Sequence, residues 1–363
     1  MARSQQGNPR DRWRQTLLAQ ERGRRRNERK GRIYSSGKWR PEHRPIVNPR
    51  FRVKGKGHGT LRIELPEKLD FLDFSDRDAA LILVAKIKKA ALYERHKRIV
   101  LDFSAVKYVS ADVALILLAE IQRCRTYCKG KTYLTGTYPK EHAVSSLLNE
   151  IGFFNALGVK GPKLPATYSS RTYLKIEREN KTLASVADNL LDCFCEEVNF
   201  DPDDRKRLHV ALIECMDNVF QHAYSGDSPD PHLYKEWWMA GYADHKEGLV
   251  SFVFYDQGAG IPKTIKSRKS RRVTDFLNSW SDSRWIERAI RKPISRHDSR
   301  RRGHGLEKLK KFLERTDMSG TLRVMANRGE VVLAAGGSPI FNDFSTPLEG
   351  SLIVWTLKPL QSA

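Results

Sequence analysis

The run Leu208-His-Val-Ala-Leu-Ile-Glu214-Cys-Met-Asp-Asn218-Val-Phe-Gln-His222-Ala223 decides how the second half of this chain is read. Glu214, Asn218 and His222 recur every four residues. In an α-helix each such step turns about 400°, so the three drift only about 40° per step and share one face over two turns. Val210, Leu212, Ile213 and Val219 fall between them and make an apolar side. Asn is a mediocre helix former, so an amide kept in this row has a use other than helix stability. A carboxylate, an amide and an imidazole in one row suit polar chemistry. The plain alternative is a solvated helix face whose polar residues are incidental.

Two further motifs lie downstream. Asp256-Gln-Gly258-Ala-Gly260-Ile-Pro follows the apolar strand-like stretch Leu249–Tyr255. A carboxylate at a strand end, followed by two glycines, permits close backbone approach to a ligand. Gly303-His-Gly305-Leu306 opens a predicted helix, and glycine amides at a helix N-terminus suit phosphate. A G-x-G is weak alone, since Gly55-Lys-Gly57-His-Gly59 repeats it with no evident role.

The surroundings of these motifs predict an α/β unit from about 172 to 359. Its expected elements are a strand at 172–177, helices at 182–197 and 202–223, and strands at 237–244 and 249–256. A helix at 306–314 and strands at 320–326, 331–335 and 351–357 complete it. Asp201, Asp203 and Asp204 favour the positive end of the second helix. Upstream, residues 60–158 alternate strands (60–65, 98–103, 132–137) with helices (75–94, 111–127, 142–148), a second α/β unit. A Gly/Pro/Ser/Lys connector at 159–171 reads as a linker.

Charge is segregated. The chain carries a net charge of +22, yet residues 1–57 hold 18 Lys/Arg against 4 Asp/Glu and residues 263–302 hold 14 against 4. The remainder is nearly neutral, so an acidic partner would meet one tail and one internal segment. The tail has too little apolar content to fold alone and is expected to be disordered. Trp280, Trp285, Ile286 and Ile290 suggest a helix with an apolar side inside the internal segment. Five cysteines with no paired C-x-x-C spacing read as thiols in a reducing compartment. No apolar run approaches the roughly 20 residues that span a bilayer. The Arg-rich N-terminus lacks the apolar core of a secretory signal. A cytoplasmic protein without a membrane partner is therefore expected.

Taken in order, Glu-x3-Asn-x3-His, Asp-x-Gly-x-Gly after a strand and G-x-G before a helix resemble the GHKL ATPase superfamily, which includes gyrase, MutL and histidine-kinase ATP domains. The pattern is most similar to the bacterial anti-sigma-factor serine kinases, over roughly residues 180–358. The resemblance implies an α/β sandwich that binds ATP with Mg²⁺. On it, Asn218 would be the metal ligand and Glu214 the base taking a proton from the attacking hydroxyl or water. His222 would lie near the triphosphate, and Asp256 would accept from the adenine amino group. Gly258 and Gly260 would let base and sugar lie close, and Gly303 and Gly305 would wrap the phosphates. Ser351, in Gly350-Ser351 where the family often has Gly-Thr, would support the adenine. Residues 263–302 stand where such domains carry a lid, here unusually basic. One Asn is enough protein ligation because Mg²⁺ keeps several waters and takes further oxygens from phosphate.

The stretch Ile99-Val-Leu-Asp-Phe-Ser-Ala-Val-Lys-Tyr-Val-Ser-Ala-Asp-Val-Ala-Leu-Ile-Leu-Leu118 resembles the STAS domain of anti-sigma-factor antagonists. In regulated members a serine in this loop is phosphorylated by the partner kinase. Here that position is Ala111 in Ser110-Ala111-Asp112-Val113, so the usual switch is not expected. Ser110 is read as the cap of the following helix, and Asp112 as a candidate fixed negative charge. Together these readings imply a STAS-like domain fused to an ATP-binding domain. Such a protein would act in bacterial signalling as a serine kinase, a slow ATPase or an ATP-gated binder. Its protein partner would be a STAS-type antagonist or a sigma-like regulator, and the resemblance allows a homodimer. The alternative is an ATP-gated nucleic-acid-associated adaptor, with the basic tail and lid making non-specific contacts to phosphate backbones.

Overall fold

In the computed structural model, the described residues are 59–71, 73–164, 171–195, 202–219, 223, 236–268, 280–291, 305–315 and 318–359. Residues 44–363 cluster as one compact unit. The basic tail 1–57 lies outside the described residues. The architecture is mixed α/β, with parallel sheets of three and two strands and an antiparallel sheet of five.

The first part carries β1 (Thr60–Glu64), β2 (Lys68–Leu69), α1 (Phe74–Lys88), β3 (Arg98–Asp102), β4 (Tyr108–Val109), α2 (Ala111–Cys128), β5 (Tyr133–Gly136), α3 (His142–Glu150) and α4 (Phe153–Ala156). Strands β1, β3 and β5 form a parallel sheet in the order β1-β3-β5. Asp73 starts α1 by accepting from the backbone amides of Ser75 and Asp76 at 2.9 and 3.3 Å, satisfying donors that have no partner inside the helix. The helix expected to run to Glu94 changes register near its end. Lys89–Tyr93 winds as a π-helical turn, with the Glu94 amide donating to the Lys89 carbonyl.

The second part carries β6 (Arg171–Glu179), α5 (Ala184–Cys195), α6 (Pro202–Asn218), β7 (Trp237–Asp244), β8 (Leu249–Asp256), α7 (Ile261–Arg268), α8 (Asp282–Arg291), α9 (Gly305–Arg315), β9 (Met318–Ala334) and β10 (Ile340–Pro359). Its five strands are antiparallel in the order β6-β7-β8-β10-β9. Two strands expected at 320–326 and 331–335 are one strand, β9. It continues through Asn327, which takes a left-handed backbone (φ 52°) that Asn tolerates better than most residues. Strand β10 begins eleven residues before the expected start, because its first half pairs with β9 across the hairpin at 335–339.

The two parts share one core, and the sequence of β7 and β8 shows why. Side chains alternate between the faces of a strand. Trp237, Met239, Phe252 and Phe254 pack with α5, α6 and α9 on one face. Their neighbours Trp238, Ala240, Val253 and Tyr255 pack with the first part on the other. A near-continuous apolar run is what a strand buried on both faces requires. Helix α2 is the middle of this sandwich. Fourteen of its eighteen residues are buried, Glu120 and Arg123 among them, so it is enclosed nearly all round.

The loop before α2 differs from expectation. Ser110 occupies the N-cap position but makes no side-chain cap. Its hydroxyl instead donates to the Asp112 carboxylate, and Asp112 Oδ1 accepts from the Val113 amide at 2.9 Å. Asp112 is buried, and burial pushes its carboxyl above the usual range against those hydrogen bonds. It is therefore no exposed mimic of a phosphate. Ala111 is buried too.

Candidate functional site

The helix row begins where acidic residues at the start of α6 meet the positive end of its dipole. Leu208, Ala211, Leu212, Cys215 and Met216 face the core, which leaves Glu214 to meet α9 and sets Asn218 on the side where β8 ends. Asn218 is the last residue of α6, and His222 lies outside the described residues. Asp256 ends β8, and the loop after it returns to start α7 at Ile261. Ser351 stands opposite Asp256 in the ladder between β8 and β10.

These segments converge. Asn218, Asp256, Gly260 and Ser351 line one solvent-open cleft, a concave setting of the kind that takes a small-molecule ligand. Its remaining walls are largely apolar and include Val219, Phe254, Ile261, Ile265, Leu306 and Ile353. Cys215 also lines it. Burial and the neighbouring Glu214 push that thiol up to about 12, so it serves as an apolar wall and not a nucleophile. Four residues expected by sequence, Asn218, Asp256, Gly260 and Ser351, are thus in one place although separated by up to 133 positions.

Asp256 is the chemically unusual member. Its side chain is buried, and burial pushes its carboxyl up to about 6. The Gly258 amide at 2.8 Å and the Ser351 hydroxyl and amide oppose that shift by hydrogen-bonding the charged form. No Lys, Arg or His pairs with it among the described residues. A buried carboxylate without a cation costs stability unless something else uses it.

The glycine loop fits between two backbones. A Cβ on Gly258 would lie 2.4 Å from the Ala223 carbonyl oxygen, which already accepts from the Ala259 amide at 2.7 Å. Gly260 has φ 84° and abuts Asn327, whose amide donates to the Ala259 carbonyl at 3.1 Å. Asn327 was not legible as a site residue, because only the β9 kink brings it to this loop.

Glu214 stands one turn before Asn218, outside the lining of the cleft. Lys308 of α9 forms an ion pair with it, a contact no sequence spacing announced. Gly305 is the first residue of α9, while Gly303 lies outside the described residues. In the basic segment expected as a lid, α7 and α8 are body elements. Trp285 is fully buried against Ile265, Lys266 pairs with Asp282 at 2.9 Å, and Ile261, Thr264, Ile265 and Ala289 form part of the cleft wall. Residues 269–279 and 292–304 lie outside the described residues.

Among the described residues no group of three His, Cys, Asp or Glu could hold a metal ion. No helix among them is long and apolar enough to cross a membrane. No family model matches the chain, and no curated protein matches it at a significant level.

Proposed function

We propose that the cleft binds ATP and that this chain is an ATP-dependent regulatory protein of the GHKL type, fused to a STAS-like domain. The observation that carries this reading is Asp256, a buried carboxylate that lines an otherwise apolar cleft and has no cationic partner among the described residues. Such a group recognises a neutral donor lodged among apolar walls, and the exocyclic amino group of adenine is one. Ser351 supports the carboxylate, and Phe254, Ile261 and Ile353 offer the apolar surface that a purine ring needs.

The donor set suits Mg²⁺ brought in on a triphosphate. Asn218 supplies one neutral oxygen at the cleft, and phosphate and water would supply the others. Bound there, the ion would neutralise the charge of the phosphates. The backbone amides around Gly303 and Gly305 would hold phosphate oxygens at the start of α9. Glu214 would take the proton from an attacking hydroxyl or water. With Lys308 paired to it, that carboxylate is restrained, so proton transfer would need Lys308 to turn toward phosphate.

Turnover separates a kinase or ATPase from an ATP-gated binder. With ATP labelled on its terminal phosphate, wild type is expected to release or transfer the label. Glu214→Gln is expected to slow this by a factor of about 100 or more, as for loss of a general base, with ATP affinity within a few-fold. Label on a serine of a protein partner would mark a kinase, and free phosphate an ATPase. Equal turnover in wild type and Glu214→Gln would remove Glu214 from the chemistry.

A further inference from the structure

Two ionic clusters tie the first part of the chain to the second, and both begin on α1. Near its start, Arg77 donates to Glu330 at 2.8 Å, where Arg323 and Asn342 also converge at 2.5 and 2.6 Å. At its end, Lys88 donates to both carboxylate oxygens of Glu349, at 2.7 and 2.6 Å. Arg123 of α2 lies 2.9 Å from the same carboxylate and pairs also with buried Glu120. Burial opposes the Arg123 charge, but Glu120 and Glu349 hold its pKa above the usual value. Lys88, Arg123 and Glu120 are all buried.

The two clusters differ in what lies beside them. Glu330 is flanked by no residue that lines the cleft. Glu349 is two residues from Ser351, in a stretch of β10 where the pairing register shifts. The Glu349 carbonyl accepts from the Tyr255 hydroxyl at 2.8 Å, and Tyr255 precedes Asp256. Between them, Gly350 has φ 88°, and a Cβ there would lie 1.7 Å from the Asp256 carbonyl oxygen. Next, Ser351 hydrogen-bonds the Asp256 carboxylate. Glu349 is therefore fixed at its carboxylate by the first part and at its carbonyl by Tyr255, and its two following residues bear on Asp256.

Adhesion does not account for this. The shared apolar face of the five-stranded sheet already joins the parts, and an ion pair to a Glu349 side chain that is 39% exposed adds little stability beyond that. The geometry points to Glu349 as a positioning residue for adenine recognition, with Lys88 of the first part as its hydrogen-bonding anchor and Arg123 adding opposite charge beside it. The STAS-like part then acts in the chain as a component of the nucleotide site, setting how well the cleft tells adenine from guanine. This rests on the ATP-site reading above.

The test uses the full chain and measures the affinities of Mg-ATP and Mg-GTP. Lys88→Met and Glu349→Gln are expected to weaken ATP about tenfold, the size of one charge-assisted hydrogen bond. GTP affinity should stay unchanged, so the ATP/GTP preference falls. Lys88→Arg is expected to restore most of it. Arg77→Met cuts the other cluster, roughly 16 Å away along α1 by helical rise, and is expected to leave both affinities within twofold even if it lowers the melting temperature. If Lys88→Met does not fold, the isosteric Glu349→Gln reads the same contact. Unchanged ATP affinity in Glu349→Gln and Lys88→Met, or an equal loss in Arg77→Met, would overturn the positioning role and leave the ATP site standing. No ATP binding to wild type would overturn the site and this inference together.

Discussion

At Asp256 a carboxylate stands where apolar packing would be more stable, and its titration carries the signature. The carboxyl moves from an ordinary value of 3.8 to about 6 on folding. Below about pH 3 it is protonated in both folded and unfolded chains and costs nothing. As pH rises through that window the unfolded chain ionises first, so the folded state loses ground, fully so above about pH 6. Two units correspond to about 3 kcal/mol. Asp256→Asn keeps an acceptor for the Gly258 amide and has no charge to bury. Urea denaturation is expected to show that variant more stable than wild type by up to about 3 kcal/mol at pH 8, with most of the gain lost by about pH 4 and all of it by about pH 3. A variant less stable at pH 8 would mean the carboxylate is held for structure and not for a ligand. Stability given up at one buried group is what the proposed ligand role would account for.

Among the elements, β10 bears most directly on the site, and Gly350 is its most constrained position. Its left-handed backbone and its approach to the Asp256 carbonyl leave no room for a side chain. Gly350→Ala is expected to cost about 2–3 kcal/mol in thermal or chemical denaturation, combining backbone strain and the clash. It should also weaken ATP, because Ser351 moves with it. A neutral effect on both would show that this stretch of β10 is free to shift. How far the elements could be read follows from locality. The spans of β7 and β8 were legible to the residue, since continuous apolar runs end at charged Asp244 and at Asp256. The row of Glu214 and Asn218 was legible because helical spacing is a local property. The π-turn at Lys89–Tyr93, the unbroken β9 and the early start of β10 were not. Each is set by pairing or packing with chain far away in sequence. Lys308 and Asn327 escaped for the same reason, as their partners lie 94 and 68 residues off.

For the whole molecule, the central strands β7 and β8, buried on both faces, dictate that the two parts stand or fall together. Residues 172–359 alone would expose Trp238, Val253, Tyr255 and Leu352, and residues 60–158 alone would uncover α2. Exposed apolar surface on that scale drives association. Each part produced separately is expected to aggregate, and the two produced together to elute as one complex on size exclusion. A monomeric, folded second part would contradict the shared core. The net charge of +22 belongs to the chain as a whole but is concentrated by sequence in the tail and the segment 263–302. The most direct test of the central claim is calorimetric titration of Mg-ATP into wild type, Asp256→Asn and Asn218→Ala. The account expects saturable binding to wild type, lost or weakened at least tenfold in both variants while each remains folded. No heat of binding to folded wild type at millimolar ATP would contradict it.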